Sequence, residues 1–308
     1  MSHQPDASPH WGTAQLWHWQ GLACHWQMLG DAALPAMVLL HGFGASSGHW
    51  RRNAAHLAAA GWCVYGLDLI GFGASSQPGN RPGRVLDNRL WARQVQAFAE
   101  QVVGAPVVLV GHSLGGLVAL SCAVFFPRWV RAVVAAPLPD PSLLMPPRRP
   151  GRSRPWRRQL KRALVTLLCR LLPLELIVPL LARTPLLALG IQSAYRAPVL
   201  DDLELQRLIA RPARRPTAVR ALRAMSIAMA LRPYGATASA LLPQLQQPLL
   251  LVWGSADRLV PPEVADQCRA LQPRLQLEWL SDCGHCPHDE AAPTFNTLLL
   301  SWLVRALA

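Results

Sequence analysis

Residues 111–116 read Gly-His-Ser-Leu-Gly-Gly, and they stand where the apolar run Val107-Val108-Leu109-Val110 gives way to an Ala/Leu/Val-rich helical pattern at 114–126. A G-x-S-x-G string is short enough to arise by chance. Between a buried strand and a helix it describes a nucleophile elbow, a strained turn that lifts a serine clear of the sheet while small residues relieve crowding around it. Ser113 is therefore the candidate nucleophile, with Gly111 and Gly115 as the space-making glycines and His112 beside it.

The rest of the chain alternates in the way such a turn demands. Short apolar or aromatic-rich runs at 16–19, 24–28, 37–40, 62–67, 106–110 and 130–135 read as strands, with helical patterns at 51–60, 88–103 and 114–126. After a long interruption the alternation resumes with strands at 248–253 and 275–280 and helices at 262–271 and 294–306. Apolar strands separated by helices form a parallel sheet covered on both faces. The expected architecture is an α/β fold with a mostly parallel, eight-stranded sheet. Residues 1–136 and 244–308 form its core, and 137–243 form a helical cap inserted after the sixth strand.

A serine hydroxyl is a poor nucleophile until a base removes its proton, and the base in turn needs a carboxylate to orient it. On this fold the partners follow in the order Ser, Asp, His. The strand at 248–253 ends in Gly254-Ser255-Ala256-Asp257, and the strand at 275–280 ends before Asp282-Cys283-Gly284-His285. Two consecutive strand ends thus supply Asp257 as the orienting acid and His285 as the general base. Asp140, just past the sixth strand, is the rival acid. His288 is the rival base, and with Asp289 and Glu290 it is expected instead to cap the final helix.

Attack on a carbonyl builds an oxyanion that backbone N–H groups must stabilise. His41-Gly42-Phe43-Gly44 follows the strand at 37–40, so the Phe43 amide is one expected donor and the amide of Leu114, the residue after the nucleophile, the other. His41, Gly42 and His112 are expected to shape this site. The Gly-rich stretch at 68–75 lacks the third glycine and the lysine of a phosphate loop and reads as a structural turn near the mouth. Cys283 and Cys286 make a lone C-x-x-C with no second ligand pair at zinc-site spacing, so no metal and no cofactor are expected.

These motifs together resemble the α/β-hydrolase superfamily from about residue 16 to the C-terminus, the cap excepted. The resemblance implies the triad and oxyanion roles already assigned, and a carboxylic-ester hydrolase as the activity. The serine at 113 sets the chain apart from the haloalkane dehalogenase and epoxide hydrolase branches, which use a carboxylate nucleophile. The string Gly284-His285-Cys286-Pro287-His288-Asp289-Glu290, with His41-Gly42-Phe43-Gly44-Ala45-Ser46, is similar to plant and cyanobacterial members of the pheophytinase and chlorophyll-dephytylase type. The Arg-rich cap departs from that type.

The net charge of +13 is local. Residues 137–243 carry 18 Arg and Lys against 5 Asp and Glu, while the remainder carries twelve of each. Eight basic residues fall within 148–162, followed by the leucine-rich stretch 163–191. Either the basic run is a loop beside core helices of the cap, or 148–191 rests peripherally on an anionic membrane surface. No nucleic-acid partner is expected, because Trp156 is the one aromatic residue in the run and no recognition motif accompanies it. An apolar cap over a hydrolytic core points to a small, lipophilic ester substrate. A non-hydrolytic binding protein on this fold, or cleavage of a C–C or amide bond or perhydrolysis by the same triad, remain the alternatives. Seven cysteines lying mostly far apart, no export signal and no apolar run long enough to span a bilayer fit a cytoplasmic protein, with contact at a membrane only peripheral.

Overall fold

The computed structural model describes residues 11–79, 81, 84–144 and 155–308. Residues 148–154 of the basic run, and the N-terminal residues 1–10, lie outside the described residues. Eight strands form one sheet in the order β1-β2-β4-β3-β5-β6-β7-β8. They are β1 (Thr13–Trp19), β2 (Leu22–Leu29), β3 (Ala36–Leu40), β4 (Cys63–Leu67), β5 (Val107–His112), β6 (Val130–Ala136), β7 (Leu249–Gly254) and β8 (Gln276–Leu280). β1 and β2 run antiparallel at one edge, and every pairing from β4 to β8 is parallel. The sequence reading of all eight strands and of their parallel majority is thus met.

Helices α1 (Ala54–Ala59), α2 (Asn88–Phe98) and α3 (Leu114–Phe125) precede the insert, and α10 (Glu263–Leu271), α11 (Pro287–Glu290) and α12 (Ala292–Ala306) follow it. Between β6 and β7 the described residues form α4 (Pro155–Leu171), α5 (Leu174–Arg183), α6 (Leu186–Ala194), α7 (Leu203–Ala213), α8 (Ala218–Leu231) and α9 (Ala238–Leu241). β3, β4 and β5 are buried along their whole length, as strands covered on both faces must be. One apolar cluster, with Trp91, Phe98 and Leu117, fills the side covered by α2 and α3; the other, with Trp50, Phe295 and Trp302, fills the side covered by α1 and α12.

Helix ends differ from the sequence reading where side chains are used elsewhere. The pattern at 51–60 is helical only over Ala54–Ala59, since Ser47–Trp50 closes a separate 3₁₀ turn; Asn53 makes no side-chain cap, and its Nδ2 donates to His288 O and Asn296 Oδ1. The helix expected to run to 103 changes to a π-turn at Ala99–Val103, which Gly104 ends in the left-handed region at φ 75°.

Candidate functional site

The central strand β5 delivers Ser113 to the carboxyl edge of the sheet. Ser113 has φ 52° and ψ −116°, a conformation costly for a residue with a side chain. The strain persists because its surroundings are packed to require it. A Cβ on Gly111 would strike the backbone of Gly115 and Gly116, and one on Gly115 would strike the Leu40 carbonyl. The two glycines therefore let α3 turn back against β3 and β5 in the space of one residue.

The partners arrive from the neighbouring strand ends. His285 Nδ1 lies 2.9 Å from Asp257 Oδ2, and His285 Nε2 lies 3.0 Å from Ser113 Oγ. The carboxylate can only accept, so Nδ1 carries the proton and Nε2 offers its lone pair to the serine hydroxyl. The other carboxylate oxygen of Asp257 accepts from the Leu259 and Val260 amides at 2.8 and 3.0 Å, which fixes the face it turns to the histidine. His285 and Asp257 are buried, while Ser113 is partly open. The rival Asp140 is committed elsewhere: it pairs with Arg232 at 2.7 Å and accepts from the Ser142 and Ala238 amides.

The Phe43 and Leu114 amides have no hydrogen-bond partner among the described residues, as donors kept for a ligand would be. Gly42 brings the Phe43 turn against the elbow, since a Cβ there would stand 2.5 Å from His112 Nδ1 and 3.4 Å from Ser113 Cβ. His41 anchors the same turn by accepting from the Leu69 amide at 3.1 Å, and burial pushes its pKa down, consistent with that neutral acceptor. The turn after β4 is held by Asp68, which accepts from the Ser47 and Ala74 amides at 2.6 and 2.8 Å and pairs with His25 at 2.9 Å. Burial opposes its ionisation, but His25 and these amides outweigh it and hold the carboxyl near 2. The 68–75 stretch is thus a structural turn.

The loop carrying His285 is braced by His112, expected to shape the site, and by Ala194, Tyr195 and Glu290, whose part in the site sequence reasoning missed. His112 Nε2 donates to the His285 carbonyl at 3.1 Å, and the His285 amide donates to the Ala194 carbonyl at 2.8 Å. Glu290 accepts from the amides of Gly284, Arg196 and Ala197 at 3.0–3.1 Å, so the end of α6 is tied directly to the histidine loop. Tyr195 donates to Asp289 at 2.9 Å and accepts from His49 Nε2 at 2.8 Å. Asp289 is also paired with Arg51 at 3.3 Å, and Arg51 reaches Asp202 of the insert at 2.6 Å.

The expectation that His288, Asp289 and Glu290 cap the final helix is therefore corrected. α12 has no side-chain cap, and His288 is wholly buried against Trp50, His49 and His112 at ring separations of 4.4–4.5 Å. Burial drives the pKa of His112 and His288 well below the ordinary value and that of His49 to about 4, so all three are neutral. Cys283 and Cys286 are free and buried, and burial pushes Cys283 up to about 12 and raises Cys286 as well. They are packed thiols at the base of the histidine loop.

A family model described as the alpha/beta hydrolase fold matches residues 35–292. Over 127 residues the chain is 32% identical to bifunctional epoxide hydrolase 2 of Mus musculus, a stretch covering 41% of this chain and only 22% of that protein. The chain is 29% identical over 271 residues to pimeloyl-[acyl-carrier protein] methyl ester esterase of Vibrio parahaemolyticus, covering 86% of this chain and 94% of the esterase. It is 24% identical over 318 residues to chloroplastic pheophytinase of Arabidopsis thaliana, covering 92% and 64% respectively.

Proposed function

We propose that this chain, which belongs to the α/β-hydrolase family, is a serine hydrolase that cleaves a carboxylic ester of a lipophilic substrate through an acyl-enzyme. The observation that carries the reading is the single imidazole spanning Asp257 and Ser113 at 2.9 and 3.0 Å, with the proton held on the Asp257 side. As Ser113 Oγ bonds to the ester carbon, its proton passes to His285 Nε2. The carbonyl oxygen, now negative, takes hydrogen bonds from the Phe43 and Leu114 amides. His285 then returns the proton to the leaving alcohol oxygen, and the C–O bond breaks to leave acyl-Ser113. In the second half His285 removes a proton from water, whose oxygen attacks the acyl carbon. Collapse of that intermediate frees the acid and gives Ser113 its proton back.

A hydroxyl at position 113, in place of the carboxylate nucleophile of the epoxide hydrolase branch, separates this reading from epoxide opening. The near full-length likeness to a methyl ester esterase supports ester cleavage. We read 137–243 as the cap that selects the substrate, and the apolar residues of α6 to α8 support an apolar acyl or alkyl group.

The test is turnover of p-nitrophenyl esters of increasing chain length by the wild type and Ser113→Ala, with fluorophosphonate labelling alongside. The reading requires turnover and labelling that both vanish with Ser113, and a preference for longer chains. A wild type that neither turns over nor labels would favour a binding protein on the same fold.

A further inference from the structure

Leucine-rich helices in an insert are ordinarily turned inward, and here they are not. On α4, Leu160, Leu164, Leu167, Leu168 and Leu171 are each 53–69% exposed. At about 100° per residue these positions fall within one arc of roughly 100°, a continuous apolar stripe along the outer side of the helix. The opposite side is fastened down. Arg223 of α8 donates to the carbonyls of Cys169 and Leu172 and pairs with Glu175 on α5, so the helix cannot roll its stripe inward. Leu176 and Leu180 of α5 extend the exposed surface.

Single exposed leucines need no explanation, but a contiguous stripe of this kind marks a surface made to be covered. Charge indicates by what. On the same wheel Lys161 and Arg170 flank the stripe on its two sides, and α4 to α6 carry six basic residues against Glu175 alone. A second copy of the chain would present the same cations, so self-association would set like charges together. An anionic bilayer surface offers phosphates to the flanking cations and acyl chains to the leucines. Among the described residues no single helix is long and apolar enough to cross a membrane. Gln159–Leu171 and Leu174–Arg183 reach that length only as a pair bent by 48°.

We propose that α4 and α5 dock the protein, flat and peripherally, on an anionic lipid surface through the outward leucine stripe of α4 and its flanking cations. The hydrolase reading supplies the use of such docking, which would present the site to lipid-dissolved esters, while binding itself does not depend on that reading. α6 ends at Ala194, whose carbonyl accepts from the His285 amide, so the docked helices connect to the base through a few residues.

The test measures sedimentation of the full chain with vesicles of phosphatidylcholine alone and of phosphatidylcholine with about a third phosphatidylglycerol, using Ser113→Ala so that turnover plays no part. Binding at least about tenfold stronger to the anionic vesicles, and released at 1 M salt, is expected. At about a factor of five per cation, Lys161→Gln with Arg170→Gln lowers it about twenty-five-fold. Leu164→Ser with Leu168→Ser lowers it at least about tenfold on either lipid. Circular dichroism and thermal unfolding that match the parent chain show that these α4 variants fold. Equal binding to both vesicle types, binding that survives 1 M salt, or no binding by a chain that sediments as a dimer would each overturn the proposal. A chain that docks as expected but hydrolyses nothing would instead overturn the hydrolase reading alone.

Discussion

Replacing Gly42 by alanine adds one methyl group at the point where the oxyanion turn meets the nucleophile. That carbon would lie 2.5 Å from His112 Nδ1, 2.9 Å from His112 Cε1 and 3.4 Å from Ser113 Cβ, where ordinary contact begins at 3.4 Å. Something must yield by about 0.9 Å, the difference between 3.4 and 2.5 Å. His112 is poorly placed to do so. Its Nε2 is bonded to the His285 carbonyl, and its ring packs 4.4–5.4 Å from the rings of His49, His285 and His288. The Phe43 turn therefore retreats, carrying its amide beyond the 2.7–3.1 Å window in which an oxyanion donor works. A displacement near 1 Å costs about a hundredfold, or about 2.7 kcal/mol of transition-state stabilisation. Because the donor acts on the developing charge, kcat falls while KM stays within about threefold. Steady-state hydrolysis of p-nitrophenyl butyrate, with circular dichroism and thermal unfolding as folding controls, measures this. A well-folded Gly42→Ala protein with kcat within about threefold of wild type would refute the assignment of the Phe43 amide.

Asp257→Asn should keep the fold but leave His285 in the wrong tautomer, lowering kcat by about 10⁴, as read by the same ester assay. Stability should fall with acid well before carboxylates protonate. His49 stays neutral in the fold down to about 4, whereas in the unfolded chain it takes up a proton near 6.5, so stability present above 6.5 is lost as the pH falls toward 4. From pH 7 to pH 5 His49 alone removes about 2 kcal/mol, with His112 and His288 acting in the same direction, and urea unfolding at the two pH values would show no loss if the trio were charged in the fold. Arg51→Met leaves the buried Asp289 carboxylate with only Tyr195 and the half-exposed Arg52, and should cost about 1–3 kcal/mol in the same denaturation experiment.

What could be seen in the sequence was whatever is fixed by neighbours along the chain. The elbow is visible because a positive-φ serine needs small residues two positions away on either side, and Gly111 and Gly115 stand there. Asp257 and His285 are visible because strand ends face one edge of a parallel sheet. His288 was misread because its place beside a helix start suggests a cap, whereas its environment is made by Trp50 and His112 from distant parts of the chain. His49 and Tyr195 carried no local signal, since their partners lie 94 to 146 residues away, and Glu290 takes two of its three amide donors, Arg196 and Ala197, from 93 or 94 residues away. The leucines of α4 show the same limit. Their spacing is that of a buried face, and their exposure in the fold, with Arg223 holding the other side of the helix, reveals that they point outward.

The Glu290 tie also limits how freely this enzyme could be rebuilt. Two amides from the insert and one from the histidine loop share a single carboxylate, and among the described residues the His285 amide has no acceptor but Ala194. A graft that exchanged the segment between β6 and β7 for that of a relative would orphan these donors and loosen the base, even with Ser113, Asp257 and His285 untouched. Any change of specificity by recombination must therefore carry residues 194–197 and 284–290 as one inherited block.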